Sequence, residues 1–179
     1  MSELRTLTQS VAAIMVIVAG SISVGAQDAS PVGQSASITV SVAFEHNHFV
    51  VGQTPFAILT VKNMTDEVVS LRTGVDSFRI HVTGEKGEPP QTEFHRHLHG
   101  DFRPGDGPNL SSGSGVAKEM EPGASQTMKF DLAAYYDLST PGKYSVYIEV
   151  LDAAPPTQVR KWSWLRTNTA HFEIQPPTQ

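Results

Sequence analysis

From Tyr144 to Val150 the chain alternates in character: Tyr144, Val146, Ile148 and Val150 are apolar or aromatic, with Ser145, Tyr147 and Glu149 between them. A period of two belongs to an extended strand with one buried face, because successive side chains of a strand point to opposite sides. A helix repeats every 3.6 residues and would scatter these groups around its circumference. The same alternation sets Ile38, Val40, Val42 and Phe44 against Thr39, Ser41 and Ala43, and Phe78, Ile80 and Val82 against Arg79 and His81. No segment of helix length is amphipathic, so the chain is constrained to an all-β fold.

Other segments extend the pattern. Phe56 to Lys62 reads as a strand introduced by Gly52 and Pro55, Asn63 to Glu67 as a turn, and Val68 to Leu71 as a return strand, together a hairpin or adjoining strands. Glu93 to His99 is expected to be extended. Met128, Phe130 and Leu132 share one face, a short helical or turn segment covers Ala133 to Leu138, and the last two strands are expected at Val159 to Leu165 and Thr169 to Ile174. Gly and Pro cluster between these runs, as turns require. The expected architecture is an immunoglobulin-like β-sandwich of about seven to eight strands over residues 37–175, with a loose segment before it at 27–36 and a tail at 176–179. Gly100 to Gly115 lacks periodicity and reads as an exposed loop longer than most connections, hence functional or mobile.

Hydrophobic residues make up 39% of the chain and charged residues 17%, enough apolar surface for a core without covalent staples. The formal net charge is -5 and the 13 Lys and Arg residues are scattered, which argues against nucleic acid and against a polybasic membrane patch. Glycans, peptides and proteins stay open as partners. There is no cysteine, so disulfides, thiol nucleophiles, iron–sulfur clusters and Cys-based zinc sites are excluded.

At the N-terminus, Arg5 precedes the apolar run Val11 to Val24, and Val24-Gly25-Ala26 supplies the small residues a signal peptidase reads. The expected leader is 1–26, with Gln27 first in the mature chain. The alternative is a membrane anchor, for which the run is short and broken by Gly20, Ser21 and Ser23. A periplasmic or secreted location follows, with no stable membrane insertion after leader removal and another envelope protein or peptide as the expected partner.

Gly142 stands two residues before Tyr144, after Pro141, at the start of the most regular strand. That placement lets the Tyr144 hydroxyl tie back to upstream backbone as a tyrosine corner, so Gly142 and Tyr144 are expected to be structural. Pro122-Gly123, the strand into Asp131-Leu132, Tyr136-Asp137-Leu138 and Gly142-Lys143-Tyr144 are shared features of a wider pattern. The run Met120 to Val146 resembles the immunoglobulin-like region preceding the catalytic domain of deuterolysin-type metalloproteases, and is similar to related exported bacterial proteins of unknown function. The chain has no His-Glu-x-x-His, the zinc-binding motif of those proteases. The resemblance therefore implies the accessory module alone, with inhibition, folding assistance or binding as its role.

The remaining chemistry lies in His95, His97 and His99, with His46 and His48 nearer the N-terminus. On a strand the three would share one face and present neutral imidazoles to zinc or copper, with Glu93 or Asp101 as a further ligand or orienting group. Neighbours two apart on a strand are separated by nearly ~7 Å, too far for the outer pair to share one ion without curvature. Solvated histidines are the competing reading. Trp162 and Trp164 suit packing better than a glycan platform, and Asn63-Met64-Thr65 is a sequon with no use in a bacterial setting. Gly105, Gly107, Gly113 and Gly115 do not form a phosphate loop, and no serine elbow is present. The sequence thus points to an exported, non-catalytic binding or accessory module, not an enzyme. The alternatives are a periplasmic metal-binding protein using the histidines, and a protease-inhibitor or chaperone-like protein.

Overall fold

The computed structural model describes residues 33–34, 37–107, 116–153 and 163–177. The expected leader, the loop segment 108–115, Trp162 and the final two residues lie outside the described residues. The chain is predominantly β, with eleven strand segments among the described residues. They are β1 (Gly33–Gln34), β2 (Ile38–Ala43), β3 (His48–Val50), β4 (Phe56–Asn63), β5 (Val69–Arg72), β6 (Phe78–Gly84), β7 (Ala117–Met120), β8 (Ser125–Asp131), β9 (Gly142–Leu151), β10 (Trp164–Arg166) and β11 (Ala170–Gln175).

The first sheet runs β1-β2-β4-β8 and is antiparallel throughout. In the second, β9 pairs with β6, β10 and β11, and β11 continues to β3 in parallel. β5 and β7 form a separate pair. The expected hairpin of the second strand with Val68 to Leu71 is therefore corrected: β5 leaves β4 and joins β7 instead. Asn63 explains the departure. It is fully buried, and its Nδ2 donates to the carbonyls of Glu67, Met120 and Glu121 at 2.8, 3.0 and 3.1 Å. Its Oδ1 accepts from the Thr65 backbone and hydroxyl, both at 2.9 Å, closing the turn locally. The sequon at Asn63 is thus a buried turn hub whose amide is occupied.

Alternation puts Ile38, Val40 and Val42 of β2 and Ala57, Leu59 and Val61 of β4 on one side of the first sheet, all buried. Ile80 and Val82 of β6, Val146, Ile148 and Val150 of β9, and Phe172 and Ile174 of β11 do the same on the second. All belong to one hydrophobic cluster. Each fully buried Val, Leu or Ile side chain contributes roughly 1.5–3 kcal/mol relative to exposure. Phe78 on β6 meets Phe130 on β8 edge to face, with ring centres 5.2 Å apart, linking the sheets directly. β10 and β11 are one strand direction interrupted at Thr167-Asn168. Thr167 still pairs with Ile148 through its N–H and hydroxyl, while the Asn168 amide donates to the Val42 carbonyl at 2.9 Å and accepts from its N–H at 2.8 Å. Asn168 thereby ties the second sheet to β2 as a peptide group would.

The segment Glu93 to His99, expected to be extended, is instead the short helix α1 (Glu93–Leu98). Thr92 caps it, its hydroxyl accepting from the His95 N–H at 3.2 Å. Gly100 ends it at φ +73°, where the Gly100 N–H reaches the His97 carbonyl and the Asp101 N–H reaches that of Arg96. This pairing terminates a helix with a left-handed residue and favours glycine.

Candidate functional site

The helix separates the three histidines. His95 and His99, one turn apart, share a face, and their ring centres lie 4.9 Å from each other. His95 is buried against Tyr136, at 4.7 Å, and Tyr135, at 5.6 Å, and its Nδ1 has no hydrogen-bond partner. Burial pushes the His95 imidazole down to about 4, with the neighbouring His99 adding to the fall. His99 is lowered by partial burial and by Arg79. His97 points elsewhere, tilted against Phe102 with ring centres 4.8 Å apart and its Nε2 3.6 Å from Asp106 Oδ2.

Residues 101–107 fold over that second face. Arg96 and Asp106 form an ion pair there through both guanidinium and carboxylate groups, and Asp106 also accepts from the Arg103 N–H at 2.8 Å. The Arg96 hydrogen bond and the Arg103 N–H hold the Asp106 carboxyl below the ordinary carboxylate range. Gly107 N–H donates to Glu93 at 2.7 Å, anchoring the segment to the helix start. The part of the long loop that is described is exposed as expected, Asp106 alone being half-buried, and it is tethered to the helix through Asp106 and Gly107. Among the described residues, no group of three or more His, Cys, Asp or Glu is arranged to hold a metal ion.

Tyr144 and Gly142 stand at the start of β9. The Tyr144 hydroxyl donates to the Thr140 carbonyl at 2.7 Å, and its ring stacks on Phe172 with centres 5.3 Å apart. Gly84 lies opposite Tyr144 in register, and a Cβ at Gly84 would meet the ring at 2.9 Å. The pair fits only because one partner lacks a side chain.

Sequence reasoning missed the solvent face of the second sheet. Arg79 and His81 of β6, Tyr147 and Glu149 of β9, and Trp164 and Arg166 of β10 all alternate outward from the core. Arg79 lies over the Trp164 ring at 4.0 Å, and Arg166 over Tyr147 at 3.7 Å. His81 stacks on Tyr147, centres 4.5 Å apart and nearly parallel, and its Nε2 meets Glu149 at 3.1 Å. Glu149 is also 4.0 Å from Arg79. Each guanidinium is centred over a ring, a contact that helps to order the side chain. The period-2 pattern had already assigned Arg79 and His81 to a solvent face, but only the register of three strands shows what they meet there.

No family model matches the chain, and no curated protein matches it in sequence. Among solved structures it is similar to part of a mutant β-glucosidase from Listeria innocua in complex with laminaribiose, at 14% identity and a TM-score of 0.37. It is also similar to part of a family 123 glycoside hydrolase from Clostridium perfringens that acts in glycolipid glycan hydrolysis, at 12% identity and a TM-score of 0.39. Each match covers 80% of this chain, which spans 17% and 28% of the respective structures. At these scores neither likeness bears on activity.

Proposed function

We propose that the chain is an exported, non-catalytic binding module built on an immunoglobulin-like β-sandwich, and that it binds through the solvent face of β6, β9 and β10. The observation that carries this reading is the pair of arginines stacked on Trp164 and Tyr147. Aromatic and arginine side chains, pre-ordered on a rigid sheet, lose little entropy on docking and are enriched at protein interfaces. The fold component draws support from the two sheets sharing one apolar cluster and from the Tyr144 hydroxyl bonded to upstream backbone. The export component draws support from the leader-like run at Val11 to Ala26. An inhibitor or chaperone-like role is one form of the same binding activity, and rests on the resemblance to the protease-associated module.

Affinity capture from an envelope extract tests this reading. The wild-type chain recovers a specific protein, and the double variant Arg79→Glu, Arg166→Glu loses it while keeping its melting temperature. Recovery of no specific protein, or equal recovery by the variant, contradicts it.

A second reading is supported by the His95–His99 pair. Two imidazoles one helical turn apart supply half of a tetrahedral zinc or copper site, and the Nδ1 of His95 is buried without a hydrogen-bond partner. Metal analysis of untagged protein distinguishes it: stoichiometric metal lost in His95→Ala supports the reading, and absence of metal from the wild type ends it.

A further inference from the structure

We infer that the partner recognised by this face is an acidic peptide segment that places one carboxylate on Arg79 and a second on Arg166. The inference rests on the binding reading above and names the chemistry of the ligand.

Four observations carry it. First, the guanidiniums stand on β6 and β10, the strands flanking β9, and each is directly opposite Glu149 in register. Their side chains share the outer face of one sheet, as alternate side chains of an extended peptide share one of its faces. Second, among the described residues the Arg166 guanidinium packs on the Tyr147 ring and forms no side-chain hydrogen bond or ion pair. A planar fork of donors placed against a ring matches a carboxylate bidentately.

Third, the lone carboxylate on the strip, Glu149, is engaged by His81 at 3.1 Å and lies 4.0 Å from Arg79, so it partly neutralises one guanidinium and leaves the other. In a chain of net charge -5, this local excess of positive charge is complementary to acid, not to base. Fourth, each aromatic ring already has a guanidinium over one face. A sugar ring needs such a face to stack upon, so the arrangement favours a peptide over a glycan.

Titration calorimetry of the purified chain tests this with three probes: an alternating Glu-Ser decapeptide, an alternating Lys-Ser decapeptide, and an oligogalacturonate of similar charge. The Glu-Ser peptide is expected to bind, and the Lys-Ser peptide not to bind. Raising the salt so that the Debye length falls from about 10 Å to about 3 Å weakens binding markedly. Arg79→Gln and Arg166→Gln each weaken it roughly tenfold. Lys62→Gln, on the outer face of the first sheet, leaves it unchanged. Failure of the Glu-Ser peptide to bind, or equal binding by the double arginine variant, overturns the proposal. Tighter binding of the oligogalacturonate overturns the peptide assignment. The two readings fail separately: an envelope protein that depends on the arginines but is not displaced by the Glu-Ser peptide keeps the binding module and sinks the acidic ligand.

Discussion

The hydroxyl of Tyr136 donates to the carbonyl of Ile80 across 2.9 Å, from a side chain that is fully buried. Ile148, the register partner of Ile80, directs its own N–H and carbonyl to Thr167. The alternation of an antiparallel ladder therefore turns the Ile80 peptide groups away from β9, toward the opposite edge of β6. Tyr136 thus occupies the edge of the strand that carries Arg79 and His81, satisfying a carbonyl that would otherwise invite another strand.

Tyr136→Phe removes that hydroxyl and leaves a buried carbonyl unsatisfied, so it is expected to cost about 1–2 kcal/mol. Tyr144→Phe breaks a bond that water can replace in part, and is expected to cost less, about 0.5–1 kcal/mol. Urea denaturation of the two variants compares them directly. A larger loss for Tyr144→Phe contradicts the edge role of Tyr136.

Gly84→Ala places a methyl group 2.9 Å from the Tyr144 ring and is expected to destabilise by about 1–3 kcal/mol. In a Tyr144→Leu background the penalty shrinks, because the ring it meets is gone. A double-mutant cycle measures the coupling. Additive losses show that the cross-strand contact is not the cause.

His95 makes the stability of the chain depend on pH. Its folded-state value of about 4 lies below the unfolded value near 6.5, so the unfolded chain takes up the proton first as the pH falls. The contribution of the neutral buried ring is complete above about pH 6.5 and is lost between there and about pH 4, on the order of 1–3 kcal/mol. His95→Phe is expected to flatten this part of the curve, read as melting temperature against pH. An unchanged slope in the variant assigns the dependence to other groups.

The extent to which the chain could be read in advance follows from element length and from what each signal measures. β2, β4, β6 and β9 carry six to ten residues of alternation, enough for a period of two to stand out. β3 and β7, with three and four residues, are too short to show any period. At α1 the histidines at 95, 97 and 99 imitate a strand, whereas the informative residues are Thr92 and Gly100, which cap a helix at both ends. The arginine–aromatic pairs depend on register between strands far apart in the chain, and no local pattern encodes register.

A photo-crosslinking amino acid at Thr83, on the outer face of β6, compared with the same group at Lys62 on the outer face of β4, tests most directly whether binding uses the second sheet. Irradiation in the native envelope is expected to give one discrete adduct from Thr83, absent when Arg79 and Arg166 are reversed to Glu, and none from Lys62. An adduct from Lys62 alone, or none from either position, contradicts the account.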